Sequence, residues 1–175
     1  MSDDRTGDPF ITYLHDLREE RNLGALATLR RGLGRPIGAV PEMFRYIVPR
    51  LPRNMSSWDE GVYYTVASLF AMHPSPGGHG NIGYTLNELE RATGQSGGEG
   101  VSSVERRLLT LLKSDTETLS EHLRQVISLA SSKDLPIDWD ALLWDLKGWN
   151  REDRGVQKRW AESFWSKASY SCNLN

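Results

Sequence analysis

The chain predicts an all-α fold, and three observations carry that reading. Apolar residues recur at i, i+3, i+4 and i+7 through most of its length. No stretch sustains the in-out alternation of a strand. Helix-start signals precede the apolar stripes: Asp directly before Pro, and Ser or Thr three residues ahead of Glu. Residues 93–101, rich in Gly and Ser and poor in apolar anchors, read as a linker. They divide the chain into two helical-bundle lobes, 1–92 and a Trp-rich 102–175.

The elements follow in order. Asp8 before Pro9 is an N-cap with proline at the first helical position, and Phe10, Leu14 and Leu17 continue on one face. A second helix covers 23–31 and stops at Gly32 and Gly34. Leu23, Leu26, Leu29 and Leu33 share its apolar side, Arg30 lies at the border, and Arg31 points away. Pro41 opens a short third helix carrying Phe44, Ile47 and Val48. Ser57-x-x-Glu60 reads as the capping box of a fourth, striped by Val62, Val66, Leu69 and Phe70 and running to Pro74. A Pro/Gly loop spans 74–83, after which Thr85-x-x-Glu88 caps a helix with Leu86 and Leu89. Ser102-x-x-Glu105 caps the next, with Val104, Leu108, Leu111 and Leu112 inward. A helix over about 118–132 turns Leu119, Leu123, Val126, Ile127 and Ala130 inward.

Two Trp-bearing helices close the chain, separated by 150–155. Five of the six tryptophans stand here: Trp139, Trp144, Trp149, Trp160 and Trp165. Trp139, Leu142, Leu143 and Leu146 form a core stripe. Trp144 lies about 140° from Trp139 on the helical wheel, on the face that should be wet. Exposed indole is common where proteins meet, so Trp144 is a candidate partner contact.

Composition bounds the function. Apolar and charged fractions of 38% and 25% are those of an ordinary soluble protein. No run of apolar residues is long enough to span a bilayer, and the start is polar and acidic. The lone cysteine, Cys172, cannot build a disulfide framework, and a reducing cytoplasm is the natural setting.

The net charge of −2 hides an asymmetry. Between Arg21 and Trp58 stand seven arginines (21, 30, 31, 35, 45, 50 and 53), no lysine and one acid, Glu42, for a net +6. Guanidinium is a planar fork suited to phosphate and to stacking on bases. Arg21, Arg30, Arg31 and Arg35 are therefore candidate nucleic-acid contacts. On the second lobe, Arg106, Thr110 and Lys113 share an outward face at i, i+4, i+7, and Arg124 lies far from its helix's apolar stripe.

Catalytic patterns are missing. There is no phosphate-binding Gly-Lys-Ser/Thr loop, no His-Glu-x-x-His and no paired Cys-x-x-Cys. His15, His73, His79 and His122 lack ligand spacing. The reading is a non-catalytic protein needing no cofactor and no metal.

Four signatures, taken in order and spacing, resemble one family. They are Ala25-Leu-Ala-Thr-Leu-Arg-Arg-Gly32, Leu69-Phe-Ala-Met-His-Pro74, Val104-Glu-Arg-Arg-Leu-Leu-x-Leu-Leu112, and Ile137-Asp-Trp-Asp-x-Leu-Leu-x-Asp-Leu146 leading to Val156-Gln-x-x-Trp-Ala-x-x-Phe-Trp165. Together they resemble CasB, the small subunit of the type I-E CRISPR Cascade complex, over roughly residues 10–165. The resemblance implies a helical, non-catalytic subunit present as two copies. It would pack along the guide RNA and backbone subunits and touch the large subunit, its basic face steadying target DNA and the displaced strand of the R-loop. That face maps onto Arg31, Arg106, Arg107, Lys113 and Arg124. The longer loops at 74–83 and 93–100 and the tail after Trp165 depart from the pattern. The alternative reading is a generic helical interaction module with no nucleic-acid role, its +6 segment docking on an acidic protein.

Overall fold

The computed structural model describes residues 7–94 and 100–166, and among these the regular structure is helical, with no strand. Cys172, most of the C-terminal tail and the centre of the expected 93–101 linker lie outside the described residues. The helices are α1 (Pro9–Glu19), α2 (Leu23–Arg30), α3 (Phe44–Ile47), α4 (Ser57–Met72), α5 (Ile82–Thr93), α6 (Ser103–Lys113), α7 (Leu119–Ser132), α8 (Trp139–Lys147) and α9 (Gly155–Trp165). Single 3₁₀ turns, Pro41–Met43 and Val48–Arg50, flank α3, so the third helix is a broken run of three short pieces. Pro41 and Pro49 each open one of those turns.

Several starts are the expected ones. The Asp8 carboxylate accepts from the Phe10 amide, Ser102 Oγ from Glu105, and the Asp138 carboxylate from Ala141. Two differ. α4 is capped by Ser56, whose hydroxyl accepts from the Asp59 amide, and not by Ser57. α5 begins a turn early, with Asn81 as cap accepting from the Tyr84 amide, and Thr85 sits buried inside the helix. In each case a residue upstream of the expected box offers its side chain to the orphan amides first. Leu23, expected on the apolar side of α2, is 72% exposed because it occupies the first helical position, beyond the reach of α4.

The buried side chains form one continuous cluster from Phe10 to Phe164. α5 packs along α9, α2 along α4, and α4 along α8. The two lobes expected on either side of 93–101 therefore share a single core. Close approaches make this specific. A Cβ on Gly83 would overlap the Trp160 carbonyl, and one on Gly78 would overlap the backbone of Ile137, so hydrogen at these positions lets α5 and the 74–83 loop seat directly on the second half. Polar ties cross the same seam. The Trp58 indole donates to the Leu146 carbonyl at 3.0 Å, His73 Nε2 lies 2.8 Å from the Leu135 carbonyl, and Asn87 donates to the Phe164 carbonyl at 2.7 Å. The 74–83 loop thus ties α4 and α5 to the second half of the chain.

Candidate nucleic-acid interface

A groove bearing three arginines is built by α6 and α7. Val104, Leu108 and Leu111 bury one face of α6, which turns Arg106, Arg107 and Thr110 outward. Leu119, Leu123, Val126 and Ile127 bury the matching face of α7, leaving His122, Arg124 and Gln125 at its edge. The two helices pack together, and their outward residues line a groove. Arg106, Arg107 and Thr110 face His122 and Gln125 at one end. Farther along, Arg107 shares the lining with Glu121, Arg124, Gln125, Ser128, Leu129 and Ser132. Arg106 and Arg107 have no acidic partner among the described residues. Arg124 is 3.8 Å from Glu121 on its own helix, a loose exposed pair that screens little.

The α6–α7 turn is held firmly. Hydrogen bonds from the Thr118 hydroxyl and amide hold the Asp115 carboxyl below the usual carboxylate range, with the Glu117 amide adding a third. The buried Trp149 indole donates to the Ser114 carbonyl at 3.2 Å, and Arg154 donates to the Leu112 carbonyl, covering two free carbonyls at the end of α6. The groove therefore stands on a fixed frame.

The other predicted contacts scatter. Lys113 is exposed at the end of α6, outside the groove lining. Arg21 is exposed between α1 and α2 with a left-handed backbone, φ +53. Arg31 is exposed and 3.6 Å from Glu42. The Glu42 carboxyl lies below its ordinary range, chiefly through its own backbone amide and then through Arg31. Arg35 is exposed on a different groove, beside α4. Arg30 is engaged within the fold, where its Nε and a terminal nitrogen donate to the Ala71 carbonyl at 3.1 and 2.9 Å, covering the C-terminal end of α4. Arg45 lies over the Tyr46 ring and Arg50 over the Tyr13 ring. The seven-arginine segment is thus partly satisfied inside the molecule and does not form one phosphate track.

His122 and Gln125 are groove residues that the sequence does not single out. Their i, i+3 spacing on α7 is legible, but which residues of α6 they face depends on the packing register of two helices. Trp144 stands where its wheel position puts it, 63% exposed, with the Lys147 ammonium 4.8 Å from its ring. His73 and His79 point to different partners, the Leu135 carbonyl and the Tyr84 hydroxyl. Among the described residues, no group of three or more His, Cys, Asp or Glu could hold a metal ion, and no helix is long and apolar enough to cross a membrane.

Comparison with known proteins gives a consistent answer. The family model for CRISPR-associated protein Cse2 matches residues 25–165. A Cse2 protein of Thermus thermophilus is 34% identical over 161 residues, 91% of this chain and 89% of that protein. The crystal structure of CasB from Thermus thermophilus superposes with a TM-score of 0.75 at 30% identity, covering 91% of this chain and 97% of that one. A chain of a CRISPR RNA-guided surveillance complex superposes at 0.74 over 90% of this chain and 89% of its own; at 24% identity it shows the shared fold. With all four sequence signatures inside or overlapping the matched span, the chain belongs to the CRISPR-associated Cse2 family.

Proposed function

We propose that this chain is a non-catalytic, cytoplasmic subunit of a type I-E Cascade complex, and that its α6–α7 groove holds nucleic acid through the phosphates. Family membership supports the assembly, since a relative of the same fold is part of an RNA-guided surveillance complex. The observation that carries the nucleic-acid role is that Arg107 links two adjoining hollows between α6 and α7, one lined also by Arg106 and the other by Arg124, with Arg106 and Arg107 lacking an acidic partner among the described residues. A displaced strand has no fixed sequence, so phosphate neutralisation with side-chain donors such as Thr110 and Gln125 suits it better than base-edge reading. The partners in this reading are the large and backbone subunits, guide RNA, target DNA and a second copy of the chain. Trp144 serves a protein seam.

Titration with an unstructured single-stranded oligonucleotide at several salt concentrations tests the reading. Log affinity should fall linearly with log salt, with a slope of about −0.7 per phosphate contacted. Arg107→Ala and Arg124→Ala should each flatten that slope. Binding indifferent to salt, or unchanged in both variants, would remove the groove from consideration.

A further inference from the structure

A second groove, of about 230 Å³, runs along α4 between the 32–40 segment and the start of α7. Leu33 and Ile37 form one wall, Leu119 and Leu123 the other, and Gly61 and Tyr64 lie on the α4 side. Three independent features show that it is more than a packing defect.

The first is Gly61. It lies inside a regular helix, where glycine is the poorest former after proline, and its backbone does not require it. A Cβ added there would meet nothing within 4 Å. Alanine would fit and strengthen α4, so local stability does not explain the residue, whereas an open groove does. The second is Tyr64. It is 7% exposed, and its hydroxyl has no hydrogen-bond partner. A buried unpaired hydroxyl is costly, which leaves this wall of the groove incompletely satisfied in the free chain. The third is the rim. Ile37 is 45% exposed, and Arg35 is the one charged residue among the described lining, without an acidic partner there. It belongs to the segment carrying net +6.

We propose that this groove is a docking site for an acidic, amphipathic segment of a partner protein, which inserts apolar side chains along Gly61 and places a carboxylate on Arg35. The lining selects this occupant. Apart from four Ser and Thr hydroxyls, Tyr64 and Arg35, its described residues are apolar or glycine, and it carries a single cation where a phosphate chain would call for several. The Trp58 indole N–H is already engaged by the Leu146 carbonyl and offers an occupant no donor. A positive rim over an apolar floor is the complement of an acidic helix laid in a groove.

Anisotropy of a labelled acidic peptide tests this, with leucine at i, i+3 and i+7 and glutamate elsewhere, over about three helical turns. Its counterpart with lysine in place of glutamate serves as control. The acidic peptide should bind and the lysine peptide should not. Gly61→Leu, which fills the groove, and Arg35→Glu, which reverses the rim, should each weaken binding by about tenfold or more. The melting temperature of Gly61→Leu should not fall, because its side chain enters open space; Arg35→Glu gives the same readout from the surface should that variant fold poorly. No binding of the acidic peptide, equal binding of the two peptides, or wild-type binding by both variants would overturn the proposal. So would displacement of the peptide by single-stranded DNA, which would make the groove a nucleic-acid site. Arg107→Ala should leave peptide binding unchanged, which separates this groove from the α6–α7 reading.

Discussion

The carboxylate of Asp145 on α8 accepts a hydrogen bond from the Trp160 indole of α9 at 2.6 Å, and both residues are buried. Arg159 donates to the other oxygen at 2.8 Å. A charge is kept inside here because it joins the two Trp helices by a donor that has no other exit from the core. Asp145→Ala should cost about 2–3 kcal/mol, the loss of a hydrogen bond to a charged group plus an orphaned N–H. Asp145→Asn should cost less, since it keeps one acceptor. Urea denaturation measures both, and an alanine variant with the wild-type midpoint would show that the indole finds another partner.

Trp139 and Trp144, five residues apart on α8, should respond in opposite ways. Trp139 is 2% exposed and packs edge-on against Phe70 at 5.4 Å, so Trp139→Ala should lose about 3–5 kcal/mol. Trp144 is 63% exposed and contributes mainly a cation–π contact with Lys147, so Trp144→Ala should stay within about 1 kcal/mol of wild type. Incorporation into the assembled complex should fail for Trp144→Ala if its ring meets another subunit. Thermal melts and co-purification read the two effects separately.

Neighbouring arginines divide in the same way. Arg30→Ala uncovers the Ala71 carbonyl at the end of α4 and should cost about 1–2 kcal/mol. Arg31→Ala and Arg124→Ala remove exposed groups, and Arg107→Ala a half-buried one with no acidic partner among the described residues, so each should move stability by less than about 0.5 kcal/mol. Equal melting of Arg30→Ala and Arg31→Ala would dismiss the capping role.

Acid should weaken the fold through His15. Burial pushes its pKa down from 6.5, with Arg18 adding to the effect and Asp140 opposing it, while its ring stands edge-on to Phe70 at 5.0 Å. A lowered folded-state value means the unfolded chain binds the proton more readily. The stability it confers is complete above 6.5 and is lost as pH falls through that value toward the folded-state one. Asp140 acts in the opposite sense at lower pH: burial raises its carboxyl above 3.8, so its protonation favours the folded state there. Denaturant midpoints between neutral pH and pH of about 5 should decline in wild type and decline less in His15→Gln. Identical slopes would exclude His15 as the source.

The helices are legible in the sequence because each carries its own stripe and most carry a cap; what lies between helices is not. Ser57 and Thr85 satisfy the capping-box spacing, yet Ser56 and Asn81 hold the orphan amides, a choice made by backbone dihedrals invisible in composition. Arg30 and Arg31 differ by one step on the wheel, and only the approach of α2 to the end of α4 turns one inward to a carbonyl. The Gly/Ser run at 93–100 suggests two lobes, but small residues on α5 make room for α9: Gly83 against the Trp160 carbonyl can be read only once both helices are in place. The candidate site is legible as residues and not as a site. Arg106, Arg107 and Arg124 carry the right chemistry and direction, whereas their convergence with His122 and Gln125 depends on the register of α6 against α7.

The meeting of Gly83 with Trp160 also governs how the molecule is made. α5 leaves the ribosome well before α9, and until α9 follows it presents Ile82, Leu86 and Leu89 without their principal cover. Helices can form early, but α5 gains its principal cover only once α9 has been made. A chain halted before α9 should therefore expose the Ile82, Leu86 and Leu89 face and associate through it.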